Sequence, residues 1–378
     1  MKRNCVCVLG PTASGKSDLA ISIAQHLNGC VVNCDIMQTY NGCPIATNHP
    51  SHEDFLTVQH QLFGVAPPFD NWDIHNYKHH FFDILNSTDS LPVVTGGSFY
   101  YLEAVLFQQD LNVDLKSSAN LPSWRHSDGD CYSFLCKVDP DFAKTVHPKD
   151  TRKVLSAINH INKGILPSKL EQSRRERVLR MNPVIIWLDC SDEVLFERIR
   201  NRVDLMLEKG IVEEALEIAR VAQDHFGELS PNIFESGILQ SIGVKELVNG
   251  FRELGINLDD PPGNLRELTR PYLEEIKTST IRYVKRQRVW FNSRLANCGL
   301  PVFCVHSDVD VKLLCASIQE TFASFEFPFS CPLRKEKVCY CEICDVFVHT
   351  EAQMQIHVKS KVHYKRQRSK RRLESKLN

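Results

Sequence analysis

The sequence predicts an α/β fold of the P-loop NTPase type: a mostly parallel sheet, an α-helical insertion and a small ββα zinc finger. Two observations predict the sheet. Apolar strand-like runs alternate with helical stretches, and most of these runs end at loops that carry glycine or acidic residues. A third observation predicts the finger: after residue 338, two cysteines and two histidines follow one another at the spacing of zinc ligands.

The first apolar run, Cys5–Leu9, leads into a glycine-rich loop and a helical pattern over Ser17–Leu27. The loop has the G-x-x-x-x-G-K-S spacing of a phosphate-binding loop, in which backbone N–H groups surround an anion at a helix N-terminus. Its serine hydroxyl is a suitable Mg²⁺ ligand. The expected diphosphate-binding residues are Gly10, Pro11, Thr12, Ala13, Ser14, Gly15, Lys16 and Ser17, with Ser17 also expected to bind magnesium. This pattern does not distinguish ATP from another pyrophosphate.

Three further runs, Cys30–Asn33, Leu91–Val94 and Val184–Leu188, are expected to join the same sheet. Ligands of such sheets bind at the carboxyl ends of the strands. Asp35 follows the second run and is therefore expected to face the phosphate loop. As a residue type it suits three roles there: a Mg²⁺ ligand, a general base or a helix N-cap.

The remaining chain predicts the domain organisation. Residues 1–325 are expected to form the catalytic core, interrupted by a helical insertion at about 112–182 in which no strand is predicted. A second helical section covers Glu193–Arg294 and breaks near residues 258–264. Residues 326–338 are expected to be a linker, followed by the finger and a basic tail at 339–378.

Composition is that of an ordinary soluble globular protein, with 43% hydrophobic and 24% charged residues. No run reaches the 18 or so apolar residues of a membrane span, and Met1 precedes the first strand too closely for a leader peptide. We therefore expect a cytoplasmic monomer, with nuclear or mitochondrial pools left open. The 15 cysteines are expected to be reduced thiols and metal ligands.

Four residues near the C-terminus have zinc-finger spacing: C-x₂-C-x₁₂-H-x₅-H. The expected Zn²⁺ ligands are Cys341, Cys344, His357 and His363, with Cys339 as a competitor for Cys341. Residues 359–378 contain nine Lys/Arg and one acidic residue, which favours a polyanionic partner. A solvated tail or a nuclear-import signal is the alternative.

Seven sequence blocks together resemble the tRNA dimethylallyltransferase (tRNA isopentenyltransferase) family, in that family's order and over almost the whole chain. They are GPTASGKS (10–17), DIMQTY (35–40), PVVTGGSFYYL (92–102), DP…HPKDTRKVL (139–155), RIRNRVDLMLEKGIVEE (198–214), QSIGVKEL (240–247) and TIRYVKRQRVWF (280–291). Eukaryotic members commonly add a C-terminal finger of the matrin or U1-like type, a type associated with RNA.

The resemblance implies transfer of a dimethylallyl group from dimethylallyl diphosphate to N6 of the adenosine 3′ of the anticodon, with Mg²⁺. It implies that Asp35 is the base, that Ser98 takes a threonine position near the reacting centre, and that Arg198, with Arg202, adds charge at the pyrophosphate. Both arginines are alternatively solvent-facing helix residues. The implied tRNA-binding residues, for an anticodon stem-loop partner, are Asp35, Ile36, Met37, Gln38, Arg152, Lys153, Ser156, Gln240, Lys245 and Arg286.

The basic residues of the last block, 280–291, alternate with Tyr283 and Trp290, a pattern suited to RNA phosphates and stacking, or to the charged face of a core helix. Several positions depart from the family pattern: Ile36 replaces a serine, Ser98 a threonine and Ser156 an arginine, and His60 and Leu62 keep only part of an HHL motif. Two other functions therefore stay open. One is a P-loop small-molecule kinase, and the other is an RNA-binding protein whose catalytic site has decayed.

Overall fold

The computed structural model describes residues 2–108, 130–173, 176–296 and 298–332, and in the C-terminal stretch 339–341, 343, 346–348, 358–359, 363–364 and 367–368. Two compact units result. The first comprises Met1–Gln108 with Val178–Cys331, and the second comprises Gln109–Arg177 with Pro332–Asn378.

Strands and helices alternate along the described chain. The strands are β1 (Arg3–Leu9), β2 (Gly29–Asn33), β3 (His60–Gln61), β4 (Leu91–Gly96), β5 (Phe107–Gln108), β6 (Glu176–Leu179), β7 (Met181–Leu188), β8 (Val302–Val305), β9 (Ser330–Pro332), β10 (Cys339–Cys341) and β11 (Val346–Val348). The helices are α1 (Lys16–His26), α2 (Ile36–Thr39), α3 (Pro44–Thr47), α4 (His52–Thr57), α5 (Ile74–Ser87), α6 (Phe99–Leu106), α7 (Cys131–Val138), α8 (Pro140–Ala143), α9 (Thr151–Asn162), α10 (Pro167–Ser173), α11 (Asp192–Lys209), α12 (Ile211–Phe226), α13 (Val244–Glu253), α14 (Leu265–Leu268), α15 (Arg270–Arg294) and α16 (Val311–Ser324). Two 3₁₀ turns, Pro231–Glu235 and Gly237–Gln240, connect α12 to α13.

The first unit is built on a six-stranded sheet in the order β3-β2-β4-β1-β7-β8. Every pairing in it is parallel, with Val6 opposite Val93 on one side and Val184 on the other. The carboxyl ends of all six strands therefore lie at one edge. The predicted α/β fold with a parallel sheet is confirmed.

Side chains of β1 alternate between two hydrophobic cores, as strand geometry requires. Val6 and Val8 face the layer of α1 and α16, which contributes Leu19, Ile23 and Ile318. Cys5, Cys7 and Leu9 face the opposite layer, which holds α5, α6, α11–α13 and α15. Both faces are thus covered, which is why the strands are apolar throughout rather than amphipathic.

The four strands expected from apolar runs are present and extend slightly beyond them. Two edge strands of this sheet, β3 and β8, were not expected, because two to four residues at an edge carry a weak apolar signal. The expectation of no strand between 112 and 182 was wrong for the last residues of that range, where β6 and the start of β7 lie. The second helical section and its break near 258–264 are confirmed.

The long helix α15 is held against the sheet by stacked aromatic rings. The Trp187 ring on β7 lies parallel to the Phe291 ring, with centroids 3.8 Å apart and an interplanar angle of 7°. Phe99 on α6 packs edge-on against Trp187 and contacts Trp290 as well. This packing fixes the face of α15 that points toward the carboxyl edge of the sheet.

The second unit contains α7–α10 and a two-stranded hairpin. Leu135, Val154, Ile158 and Ile161 form its small buried core. The hairpin pairs β10 and β11 in antiparallel register, with Tyr340 opposite Phe347. The boundaries predicted for the core, insertion, linker and finger stay predictions. Among the residues that the structure describes, no helix has the length and apolarity to cross a bilayer.

Candidate active site

The predicted phosphate loop occupies the turn between β1 and α1. Gly15 takes φ +94°, a left-handed conformation that suits glycine, and the helix begins at Lys16. The Lys16 ammonium donates to the Pro11 carbonyl oxygen at 3.4 Å, so the lysine lies folded across the loop. Burial lowers the pKa of Lys16 to about 8; Asp35 acts in the opposite direction, and Arg202 adds to the lowering.

Two arginines one helical turn apart on α11 reach the loop. Arg198 donates to the Ser14 carbonyl oxygen at 3.2 Å and to the Ser307 hydroxyl at 3.3 Å. Arg202 donates to the Thr12 hydroxyl at 3.3 Å, and burial lowers the pKa of its guanidinium, with Asp35 opposing that effect. Neither arginine is a solvent-facing helix residue, so that alternative is wrong.

Asp35 follows β2 and caps the short helix α2. Its Oδ1 accepts from the Met37 N–H at 3.1 Å, which is the N-cap geometry. The Ser98 hydroxyl accepts from the Ile36 N–H at 3.0 Å, and the Ser98 N–H donates to the Cys34 carbonyl at 3.0 Å. These bonds tie the Asp35 loop to the Gly96–Ser98 loop, so the predicted base and hydroxyl lie in adjacent turns at one edge of the sheet.

Tyr283 and Gln287 on α15 approach the same place from the other side. The Tyr283 hydroxyl donates to the Gly97 carbonyl at 2.8 Å, and the Gln287 amide bonds to both Gly97 and the Thr12 N–H. Burial raises the pKa of Tyr283, and the nearby Asp35 charge raises it further. A Cβ on Gly97 would lie 2.4 Å from Gln287 Nε2 and 3.2 Å from Asp35 Oδ2, so only glycine fits there.

Two adjoining cavities open at this edge. The outer cavity, of about 500 Å³, is lined by residues 13–17 of the loop, by both α11 arginines and by His306 and Ser307 after β8. The inner cavity, of about 110 Å³, is lined by Lys16, Ser17, Asp35 and Gln38 among others. Lys16, Ser17, Asp18, Asn48 and Arg202 line both. The cationic end of the loop therefore lies between the two spaces.

The sequence-predicted RNA-contacting residues occupy several surfaces. Ile36 and Met37 are half-buried on α2, and Gln38 donates to the carbonyls of Thr47 and Asn48. Gln240 and Lys245 are exposed in the first unit. Arg152, Lys153 and Ser156 are exposed on α9 of the second unit, where Lys153 lies 3.7 Å from Asp150.

The basic block on α15 divides by face. Arg282, Lys285 and Arg286 are exposed, with Arg286 resting over the Tyr283 ring at 5.7 Å. Arg288 instead forms a bidentate ion pair with Asp189 and also contacts Asp192. Trp290 contacts Phe99 and Arg294 within the protein. The block thus has a charged face and a core face, as expected for a core helix with a charged face, and its contact with RNA stays a prediction.

Residues that sequence reasoning did not place in the site are Gln287, Asn48, His306 and Ser307. Their signals are weak, because single polar residues on a helix or after a short edge strand resemble ordinary surface positions. Tyr283 was predicted either to suit stacking or to belong to a core helix, and its hydroxyl is bonded inside the site. An i, i+4 pair on the core face of α15, Tyr283 and Gln287, was the available clue.

In the C-terminal stretch, two of the four expected zinc ligands are described. The buried Cys341 Sγ lies 3.5 Å from His363 Nδ1. Two ligands of one tetrahedral zinc ion, with bonds of about 2.3 and 2.0 Å, are separated by about 3.5 Å, so this spacing fits the ion. Cys344 and His357 lie outside the described residues. Within the described residues alone, no group of three or more such ligands is found.

Comparison with known proteins decides the family. The profile described as IPP transferase matches residues 38–294, more than half of the chain. The chain belongs to the IPP transferase family. A second profile, described as zinc-finger double-stranded RNA-binding, matches residues 339–363.

Curated relatives of this IPP transferase are named tRNA dimethylallyltransferase. The mouse protein is 29% identical over 98% of this chain and 87% of its own length, and the Saccharomyces cerevisiae protein is 32% identical over 78% and 68%. A solved eukaryotic dimethylallyltransferase acting on tRNA superposes with a TM-score of 0.75 at 24% identity, covering 99% of both chains. At that identity the likeness shows a shared fold. The family match favours prenyl transfer over the small-molecule kinase alternative.

Proposed function

We propose that this protein transfers the dimethylallyl group of dimethylallyl diphosphate to N6 of the adenosine 3′ of the anticodon in tRNA, giving N6-isopentenyladenosine. The observation that carries the proposal is the shared wall of the two cavities. The phosphate loop and the Asp35 carboxylate line one inner cavity, together with the cationic side chains of Lys16 and Arg202, which also line the outer cavity. An anionic leaving group and a base are therefore accommodated side by side. The names of the curated relatives support the same reaction.

On the donor side, residues 13–17 and the two α11 arginines would hold the diphosphate. The outer cavity has room for it, and Arg198 already closes over the Ser14 carbonyl. As the C1–O bond breaks, its electron pair leaves with the diphosphate oxygen. Positive groups already in place stabilise that charge without having to reorganise, which is the larger part of such catalysis.

On the acceptor side, Asp35 would take the proton. The N6 lone pair forms the new bond to C1 of the dimethylallyl group, and the N6 proton passes to the other carboxylate oxygen, Oδ2. Oδ1 is engaged with the Met37 N–H, so the cap fixes the direction of the base rather than competing with its role. The Ser98 hydroxyl keeps the adjacent turn in place through the Ile36 N–H.

Mg²⁺ fits the donors present. Ser17, Asp18 and Asp35 line the inner cavity together, and a hydroxyl with carboxylates is the oxygen set that this ion prefers. Ser17 and Asp18 would hold it, where it supplies charge neutralisation of the diphosphate, and Asp35 stays available as the base. Burial raises the pKa of Asp18, and Asp54 raises it further, so a nearby cation would favour its ionised form.

The RNA is proposed to contact exposed polar and basic side chains. Arg152, Lys153 and Ser156 are exposed on α9, as are Gln240, Lys245 and Arg286 in the first unit. The finger, with zinc held by Cys341, Cys344, His357 and His363, would grip the tRNA outside the anticodon loop. We further propose a cytoplasmic monomer.

The test is a nucleoside mass-spectrometric assay of unmodified tRNA incubated with the protein, Mg²⁺ and dimethylallyl diphosphate, without ATP. N6-dimethylallyladenosine is the expected product. Consumption of ATP with a small-molecule acceptor would instead favour the kinase. Intact tRNA binding with no product from a metal-loaded protein would overturn the proposal in favour of an RNA-binding protein, and would direct attention to Ile36 and Ser156.

A further inference from the structure

Gln287 is a buried amide that connects two loops of the site. Its side chain is 3% exposed on the core face of α15. Oε1 accepts from the Thr12 N–H at 2.9 Å, and Nε2 donates to the Gly97 carbonyl at 3.3 Å. One partner belongs to the phosphate loop and the other to the turn that carries Ser98. The residue thus spans the donor and acceptor halves of the site.

The amide is held in one orientation by the chemistry of its partners. The group that meets Oε1 is the Thr12 N–H, which can only donate, and the group that meets Nε2 is the Gly97 carbonyl oxygen, which can only accept. Rotating the amide by 180° would therefore place two donors together at one end and two acceptors at the other. Tyr283, one turn earlier on α15, donates to the same Gly97 carbonyl at 2.8 Å. Because Gly97 has no Cβ, the helix approaches the turn closely enough for both bonds to form.

These contacts also tie Gln287 to the proposed base. A Cβ added to Gly97 would lie 2.4 Å from Gln287 Nε2 and 3.2 Å from Asp35 Oδ2, so the amide and the carboxylate both lie close to the side-chain face of Gly97. Movement of the Gly97 turn would move Ser98, whose hydroxyl and N–H hold the loop containing Asp35. Misplacing a reacting group by about 1 Å costs about 100-fold in rate.

We infer that Gln287 is a positioning residue that sets the distance and angle between the phosphate loop and the Asp35–Ser98 turn. This inference rests on the proposed prenyl transfer and adds a residue to it. It touches neither the donor nor the acceptor; it acts through Thr12 and Gly97. This role requires both hydrogen bonds, with Oε1 accepting from Thr12 and Nε2 donating to Gly97.

The substitution Gln287→Glu tests the donor end. A carboxylate keeps the acceptor for Thr12 but has no proton to give Gly97, whereas a protonated carboxyl provides both and has the shape of the amide. Burial and the Gly97 carbonyl will raise the pKa of the introduced carboxyl. The expected result is a kcat about 10- to 100-fold below wild type at pH 8.5, and a variant-to-wild-type ratio that rises roughly fivefold or more by pH 6.

Other titratable groups near this position are Asp35 across the Gly97 turn, Tyr283 and Arg286 on α15, Lys16 in the loop and Arg202 beside Thr12. They are present in both proteins, so the ratio cancels their titration except where the new carboxylate changes it. A new negative charge would raise the pKa of Asp35 and lower the ratio at low pH, the opposite of the expected trend. The rise can therefore be assigned to the proton at position 287.

Two control variants complete the experiment. Gln287→Met fills the space without either hydrogen bond, and we expect a similar loss of kcat at every pH, with a smaller change in KM for the donor. Val289→Glu adds a carboxylate at a 55% exposed position of the same helix and should give a flat ratio. Circular dichroism melting identifies variants that fail to fold. If Gln287→Glu fails to fold, the dependence of kcat on pH in Gln287→Met is the test.

The outcomes separate this inference from the proposed function. If wild-type protein gives no prenylated nucleoside, the proposed function fails. If wild type is active but Gln287→Glu shows a flat ratio, or Gln287→Met retains wild-type kcat, the side chain only fills space and the inference is overturned. A ratio that rises at low pH together with a pH-independent loss in Gln287→Met supports it.

Discussion

Arg288 holds Asp189 through two parallel hydrogen bonds, Nε to Oδ2 at 2.9 Å and Nη2 to Oδ1 at 2.8 Å. Asp189 follows β7, so this bidentate pair fastens α15 to the carboxyl edge of the sheet. The pair raises the pKa of the arginine, chiefly through the hydrogen bonds to Asp189. A planar guanidinium provides this two-bond geometry, and an ammonium does not.

Replacing Arg288 with lysine is therefore expected to lower the free energy of unfolding by about 1–2 kcal/mol. Both side chains are about one-quarter exposed, so solvent screening keeps this free energy at the lower end of the range for hydrogen bonds between charged groups. Urea denaturation followed by circular dichroism measures it. The exposed neighbour Arg286 serves as the matched control, because Arg286→Lys should change stability by less than about 0.5 kcal/mol. Equal losses in the two variants would contradict a structural role for the pair.

Asp35→Asn should reduce kcat by about 10²- to 10⁴-fold and leave donor binding nearly unchanged. Asparagine is as good an N-cap as aspartate, so α2 should keep its first turn and stability should hardly change. Single-turnover prenylation gives the rate, and calorimetric titration with dimethylallyl diphosphate gives the affinity. Parallel losses of rate and donor affinity would make Asp35 a metal ligand or structural group instead of a base.

The lowered pKa of Lys16 predicts a pH dependence for donor binding. Below about pH 8 the free protein carries the charged ammonium; as pH rises through 8 this charge is lost and affinity for a diphosphate should fall. Bound diphosphate favours the charged form, so the midpoint seen in the complex should lie higher. Inorganic pyrophosphate titrations from pH 6.5 to 9.5 measure the trend. In Lys16→Met the trend should disappear, and its persistence would assign it to another group.

Loss of zinc should weaken tRNA binding and reduce its dependence on salt, while the donor site remains intact. Metal binding and folding are coupled in small zinc modules, and a basic tail contributes counterion release. The change is Cys341→Ser, or deletion of residues 339–378, with tRNA affinity measured from 50 to 200 mM salt. Pyrophosphate affinity is the internal control. An unchanged salt slope in the deletion would show that the finger and tail make no phosphate contacts.

Much of the fold could be predicted from the sequence because the sequence patterns that indicate it are local. The phosphate loop, the four long strands and the turn with paired glycines each depend on short stretches whose backbone needs are evident from residue type. The α15 contribution to the site could not be predicted in this way. Thr12 and Gln287 are 275 residues apart, and no periodicity shows which polar residue of a helix will meet a loop formed at the other end of the chain.

Side-chain pairing was the other limit. Arg288 and Arg286 are two residues apart in one basic block, yet one is neutralised by Asp189 and the other is exposed. Which arginine turns inward depends on where β7 ends relative to α15, a tertiary fact. The same holds for Ser307, whose contact with Arg198 exists only because the edge strand β8 lies beside β7.

The parallel rings of Trp187 and Phe291 also provide an intrinsic fluorescence probe of the position of α15. Trp187 is 7% exposed and stacks on the helix that carries Gln287, so its emission should be blue-shifted and sensitive to any shift of that helix against the sheet. The chain has four tryptophans, and Trp290 directly precedes Phe291 in the sequence. A variant that retains only Trp187 would report, by fluorescence alone, on how firmly the helix is seated when a substrate enters.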